Sequence, residues 1–104
     1  MRVFFVYIYL VNKTIMPQLM LGDNITLETE INNNELRLIV VKENEEWVCH
    51  KTTVKEINTF LTGEDRSLFK GRLQLIKDQD NVLIKVKNEI IGVIDNKVFY
   101  KFIN

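Results

Sequence analysis

The sequence predicts an α+β fold, mostly β, in which an antiparallel sheet or partly open barrel carries one short helix. Short runs rich in Val, Ile and Leu alternate with Asn- and Asp-rich turns, which is typical of antiparallel strands. One amphipathic segment, residues 53–62, has helical spacing, and four strand-like runs in the last third predict a C-terminal four-stranded meander. The 104 residues, 46% of them hydrophobic, predict a single domain over residues 1–104.

Composition excludes several classes of function. Fourteen basic and fourteen acidic residues cancel, so the chain is neither a polybasic nucleic-acid binder nor an acidic mimic by net charge. One cysteine and one histidine are too few for a multidentate zinc or iron–sulfur site and exclude an intrachain disulfide. We therefore expect no metal, no cofactor and a cytoplasmic protein. No internal repeat is visible in the sequence.

The first residues form a continuous apolar run, residues 3–11 (VFFVYIYLV). The run is too short for a membrane span, which needs about 20 apolar residues. Its β-branched and aromatic composition favours a buried strand within residues 1–15. A signal or anchor segment is the second interpretation, although no small-residue cleavage site follows. A third is that Met16 is the true start.

The middle of the chain predicts three strands followed by the helix. The strands are residues 25–31, 36–42 and 46–50, with turns at residues 32–34 and 43–45. This order of strands and helix is similar to that of the OB-fold, which implies an open barrel and a nucleic-acid-binding face.

The helix has a start signal and a stop signal. Thr53 and Glu56 have the spacing of a capping box. Gly63 stands where a left-handed C-terminal cap is expected. The apolar side chains between them fall on one face, so we expect this helix to pack on a sheet: Val54, Ile57, Phe60 and Leu61.

The last third predicts strands over residues 68–77, 82–87, 90–94 and 97–102, joined by turns at residues 78–81, 88–89 and 95–96. Turn length fixes the register of a hairpin. Pairing outward from these turns places six apolar pairs on one face: Leu75–Ile84, Leu73–Val86, Val86–Ile91, Ile84–Val93, Val93–Val98 and Ile91–Tyr100.

The same register gathers cations on the opposite face of the meander, with no carboxylate among them. Phe99 lies opposite Gly92 there, where it offers a stacking platform. The aliphatic members of this face are Ile76, Leu83, Ile90 and Ile94, and its further polar members are Gln74 and Lys97. The candidate binding residues are Lys70, Arg72, Lys85, Lys87, Phe99 and Lys101.

These observations lead to three hypotheses for the function. The leading hypothesis is a small non-catalytic binding or adaptor protein that uses this lysine-rich, partly apolar face on a protein partner or as a homodimer. The alternative is a single-stranded nucleic-acid-binding module that uses the cations and Phe99. The second alternative is an enzyme whose site another subunit completes.

Catalysis within one chain is disfavoured. Cys49 and His50 are neighbours on a predicted strand, so their side chains point to opposite faces and cannot form a dyad. Cys49 shares a face with Trp47, which favours a buried packing role. We therefore expect no catalytic residue.

Overall fold

Two four-stranded antiparallel sheets and two short helices make up residues 18–104, the part of the chain that the computed structural model describes. The predicted α+β, mostly β class is confirmed, and the sheets are not closed into a barrel. The strand predicted within residues 1–15 lies outside the described residues. Among those residues, neither helix has the length and apolar character needed to cross a bilayer.

Each sheet is a meander followed by a helix. Sheet A consists of β1 (Gln18–Gly22), β2 (Ile25–Asn32), β3 (Glu35–Lys42) and β4 (Glu45–Thr52), and it leads into α1 (Val54–Thr62). Sheet B consists of β5 (Ser67–Leu68), β6 (Leu73–Asp78), β7 (Asn81–Val86) and β8 (Glu89–Asp95), and it leads into α2 (Asn96–Ile103).

The two halves repeat one topology in detail. The β3–β4 turn at residues 43–44 and the β7–β8 turn at residues 87–88 have positive φ at both positions, as in a type I′ turn. The backbone N–H of Glu43 donates to the Asn24 carbonyl, and that of Lys87 to the Arg72 carbonyl, both at 2.8 Å. The chain therefore repeats a ββββα unit structurally, although its sequence shows no repeat.

One hydrophobic core joins the sheets and the helices. It forms because alternate residues of each strand point inward and each helix adds one apolar face. Its fully buried members are Leu27, Leu36, Leu38, Val40, Ile57, Leu73, Leu75, Val82, Ile84, Val86 and Phe99.

The edge strands β1 and β8 bring the two sheets together. Leu21 is the extra residue of a bulge in β1, since Met20 pairs with Thr26 and Gly22 with Ile25. The Leu21 side chain lies so close to Gly92 that a Cβ there would be 2.9 Å from Leu21 Cδ2. Gly92 is therefore needed for close approach. Strand β1 lies outside the strands predicted from the sequence.

Helix α1 matches its predicted position, but its caps differ in part. The Thr53 hydroxyl accepts from the Glu56 N–H at 3.0 Å, as predicted. The Glu56 carboxylate accepts from the Thr52 hydroxyl instead of completing the capping box. Gly63 is extended (φ −93°), so the predicted left-handed cap is wrong.

Lys77 of sheet B caps the C-terminal end of α1. Lys77 Nζ donates to the Phe60 carbonyl at 2.7 Å and to the Gly63 carbonyl at 2.6 Å. A cation at a helix C-terminus donates hydrogen bonds to carbonyls that lack intrahelical partners, and it interacts favourably with the negative end of the helix dipole. No left-handed residue is then required.

The predicted fourth strand, residues 97–102, is wrong because this segment is helix α2. Asp95 caps the helix, accepting from the backbone N–H groups of Lys97 at 2.8 Å and Val98 at 3.3 Å. Phe99 and Ile103, four residues apart, are buried on its inner face. The predicted pairs Val93–Val98 and Ile91–Tyr100 therefore do not form. The predicted strand at residues 68–77 is also divided, into β5 and β6.

The predicted register is confirmed on one side of β7 and wrong on the other. Leu75 pairs with Ile84 and Leu73 with Val86, as expected. On the other side, the turn lies at residues 87–88 and not at the predicted 88–89, so Val86 pairs with Glu89. Further along the strand, Ile91 is an extra residue in β8, so Ile84 pairs with Gly92. A one-residue shift exchanges the two faces of a strand. Val93 is consequently 59% exposed and Ile94 is buried, the reverse of the prediction.

Candidate binding surface

The six predicted binding residues do not share one face. Lys70 and Arg72 are exposed in the connection between β5 and β6, and Lys101 is exposed on α2. Lys85 is half-buried on β7, and Lys87 is exposed in the turn that follows. Phe99 is 0% exposed in the core. The stacking role predicted for Phe99 is therefore wrong, because a helix turns this side chain inward.

Three of the predicted cations meet at one end of the β6–β7 hairpin. Arg72 and Lys87 are joined by the backbone hydrogen bond at 2.8 Å, and Lys85 pairs with Gln74 two residues further along the ladder. Lys70 lies two residues before Arg72. Lys101 lies on a different element and does not belong to this group.

The outward side chains of β6, β7 and β8 form a surface that we call the outer face of sheet B. Cross-strand pairing divides it into three rows. The first row, beside Arg72 and Lys87, consists of Gln74, Lys85 and Ile90. The second row consists of Ile76, Leu83 and Val93, and the third of Asp78, Asn81 and Asp95.

The character of the side chains changes from one end of this face to the other. One end is basic, the middle is apolar and the far end is acidic. Ile90 is 53% exposed and Val93 59%, while Ile76 and Leu83 are half-buried beside them. Within residues 18–104, no ion pair involves a charge of this face, and Lys85 lies two rows from Asp78 and Asp95.

The outer face of sheet A differs because one of its cations, Arg37, forms ion pairs with two carboxylates. Arg37 lies 2.6 Å from a Glu30 oxygen and 3.4 Å from a Glu46 oxygen. It also donates to the Cys49 sulfur at 3.4 Å. This contact with Cys49, followed by that with Glu30, raises the pKa of Arg37, so the guanidinium stays charged. Cys49 is exposed, so the expected buried packing role is wrong.

His50 has a packing role. It lies opposite the buried Leu38 on the inner side of β4, and its ring centroid is 3.8 Å from that of Phe69. Cys49 points outward, so the two form no dyad. A groove of about 630 Å³ at the start of α1 is lined by polar residues that include Glu35, Lys51 and Glu56 and exclude His50. Residues 18–104 contain no group of three side chains positioned to hold a metal ion.

Trp47 is a surface feature that the sequence analysis missed. It is the extra residue of the bulge in β4, since Val40 pairs with Val48 and Val41 with Glu46. Lys42 Nζ lies 4.4 Å from the indole centroid and Lys87 Nζ lies 5.9 Å from it. Contacts of this kind contribute about 0.5–1 kcal/mol at exposed sites. The only tryptophan of the chain, placed just after a polar turn, was the available signal.

Comparison of the chain with models of protein families, with curated proteins and with solved structures gave no match.

Proposed function

We propose that the protein is a non-catalytic binding protein that contacts a protein partner through the outer face of sheet B. The observation that carries this proposal is an apolar row in which the exposed Val93 adjoins the half-buried Ile76 and Leu83, extended by the exposed Ile90. A cytoplasmic location is part of the proposal.

The arrangement of this face supports binding more than simple solvation. Single exposed apolar residues are common on protein surfaces, whereas contiguous patches with a polar rim are typical of interaction sites. Full burial of one Val or Ile side chain contributes about 1.5–3 kcal/mol. Burying the remaining exposed areas of Ile90 and Val93 therefore supplies useful binding energy, and the charged ends supply orientation.

The experiment compares two lysine substitutions of similarly exposed aliphatic residues. Val93→Lys disrupts the proposed surface, and Ile31→Lys, at a residue 63% exposed on β2, is the matched control. We expect tagged wild type and I31K to recover the same protein, identified by mass spectrometry from a lysate of the source cells, and V93K to lose it. Equal recovery by V93K and wild type would refute this surface.

A second candidate function is binding of single-stranded nucleic acid. One observation favours it: Lys42 and Lys87 flank the half-buried Trp47, and Arg72 adjoins Lys87. Cations beside an aromatic ring can contact phosphates while a base stacks on the ring. This group replaces Phe99 as the aromatic partner of the predicted cations.

Salt titration of a fluorescent oligonucleotide distinguishes this candidate from the first. Binding through the group at Trp47 should weaken as salt increases, quench the indole emission and fall in Lys87→Ala. The control is Lys101→Ala, whose residue is exposed on α2 away from Trp47. Unchanged anisotropy at low salt would remove nucleic-acid binding from consideration.

A further inference from the structure

We infer that the partner of the outer face of sheet B is a second copy of this chain, related by a two-fold axis that lies across the strands. This inference rests on the proposed function. It follows from the order of charges on the face, because Arg72 and Lys85 lie towards one end and Asp78 and Asp95 at the other, whereas the Lys87 side chain is directed towards Trp47.

The direction of the axis follows from this charge order. Two sheets that pack face to face around an axis perpendicular to their strands run in opposite directions, while each strand stays over its own counterpart. The basic end of each copy then covers the acidic end of the other. An axis parallel to the strands would bring cations against cations and carboxylates against carboxylates, which is unfavourable.

The proposed packing pairs the middle rows as well as the ends. With the axis between the first and second rows, Ile90 of one copy meets Val93 of the second copy, and Leu83 meets the aliphatic stem of Lys85. On β6, Arg72 faces Asp78 of the second copy. The centre of the interface is therefore aliphatic apart from Lys85 and Gln74, and one pair of Arg72 and Asp78 flanks it on each side.

A second copy fits this face better than it fits the outer face of sheet A. On sheet A, Arg37 already forms ion pairs with Glu30 and Glu46 within one chain. On sheet B, Arg72 and Asp78 have no ion-pair partners within residues 18–104 and complement a reversed copy of themselves, whereas Asp95 caps α2. An isologous contact of this kind closes at two copies, so it does not lead to fibres.

The size of the face sets the expected affinity. Strands of about six residues span roughly 20 Å, and three strands span roughly 15 Å, so each copy contributes an area of about 300 Å². Two copies together bury about 600 Å², which is less than the roughly 1,200 Å² of stable specific interfaces. We therefore expect a weak, reversible dimer with a dissociation constant on the order of tens to hundreds of micromolar.

The test is sedimentation velocity of the whole chain from about 1 to 500 µM, a range that covers weak dimers. We expect wild type and I31K to pass from monomer to dimer, V93K to stay monomeric, and salt to weaken the dimer. Arg72→Glu and Asp78→Arg should each weaken association about tenfold or more, because each places like charges opposite one another. The double variant R72E/D78R should recover most of the lost affinity, because both opposed pairs regain opposite charges.

Several outcomes would overturn the inference. A monomer at every concentration, or a double variant that associates more weakly than both single variants, refutes the two-fold dimer. Monomeric wild type with Val93-dependent capture of another protein refutes self-association while the proposed function survives. Self-association that V93K leaves unchanged places the contact elsewhere. Trp47 emission during urea unfolding verifies that each variant is folded, and Ile90→Lys replaces V93K if that variant is unfolded.

Discussion

Gly92→Ala tests the junction at which β1 meets β8. Gly92 lies inside a strand, where Ala is normally more favourable than Gly by about 0.5–1 kcal/mol. The expected sign is the opposite here because the added Cβ would lie 2.9 Å from Leu21 Cδ2, 3.0 Å from Leu21 Cβ and 3.3 Å from Leu21 Cγ. We therefore expect G92A to destabilise the protein.

The magnitude follows from these distances. Carbon atoms in favourable contact are about 3.5–4.0 Å apart, so β1 and β8 must separate by about 0.5–1 Å. Overpacking of this kind typically costs about 1–3 kcal/mol, and the strand preference of Ala offsets about 0.5–1 kcal/mol of that cost. From the middle of these ranges, we expect a net loss of about 1 kcal/mol in the free energy of unfolding.

Urea unfolding followed by Trp47 emission measures this loss. The matched control is Gly71→Ala, because a Cβ at the exposed Gly71 meets nothing within 4 Å and its φ is not positive. G71A should leave stability unchanged or raise it by up to about 1 kcal/mol. Stability of G92A equal to or above that of wild type would refute the close approach of Leu21.

A double-mutant cycle makes the result specific to the pair. Leu21→Ala removes the Cγ and Cδ2 contacts but keeps the Cβ contact, so it relieves the clash in part. We expect L21A/G92A to be less destabilised than the sum of the single variants by at least about 0.5 kcal/mol. Additive losses would show that Gly92 and Leu21 do not interact.

Three further substitutions test elements that pack on the core, each by urea unfolding. Lys77→Met removes the ammonium that holds two carbonyls at the end of α1 and should cost about 1–3 kcal/mol; an unchanged midpoint would contradict this capping role. Phe99→Ala should cost about 3–5 kcal/mol because the side chain is fully buried, whereas Tyr100→Ala, at a residue 49% exposed, should cost far less. Equal losses of stability at the two positions would mean that α2 presents a different face to the core. Thr53→Ala should cost about 0.5–2 kcal/mol through loss of the N-cap of α1, and Thr53→Asn, which keeps an acceptor, should restore most of it.

The hairpins were predictable from the sequence because turn chemistry and apolar alternation agree there. The predicted strands at residues 25–31, 36–42 and 46–50 correspond to β2, β3 and β4, and the pairing of Leu75 with Ile84 follows from the turn between β6 and β7. The predicted helix at residues 53–62 corresponds to α1 because its cap and its apolar face both favour a helix.

Helix α2 was missed because its signals also fit a hairpin. Asp95 and Asn96 favour tight turns, and the following Val, Phe and Tyr favour strands. Asp95 is equally suited to an N-cap, and Phe99 and Ile103 have helical spacing. Burial of these two side chains against the core decides between the structures, and an eight-residue segment carries too little local preference to show it.

The side chains that β8 exposes were predicted wrongly because one extra residue, Ile91, exchanges the two faces of the strand beyond it. A bulge leaves almost no mark in a sequence, and only Gly92 next to Ile91 indicated one. The shift replaced Ile94 by Val93 on the outer face. The candidate surface therefore kept Lys85 and gained Val93, while it lost Phe99 to the core.

The repeated ββββα unit implies that the chain can be divided without losing its architecture. Residues 18–62 and 67–104 each contain one complete meander and one helix, but their inner side chains belong to a common core. A fragment corresponding to either half would leave its apolar side uncovered and should not persist as a monomer. Two fragments produced together, cut within the exposed residues 63–66, should instead recombine noncovalently and recover the emission of Trp47.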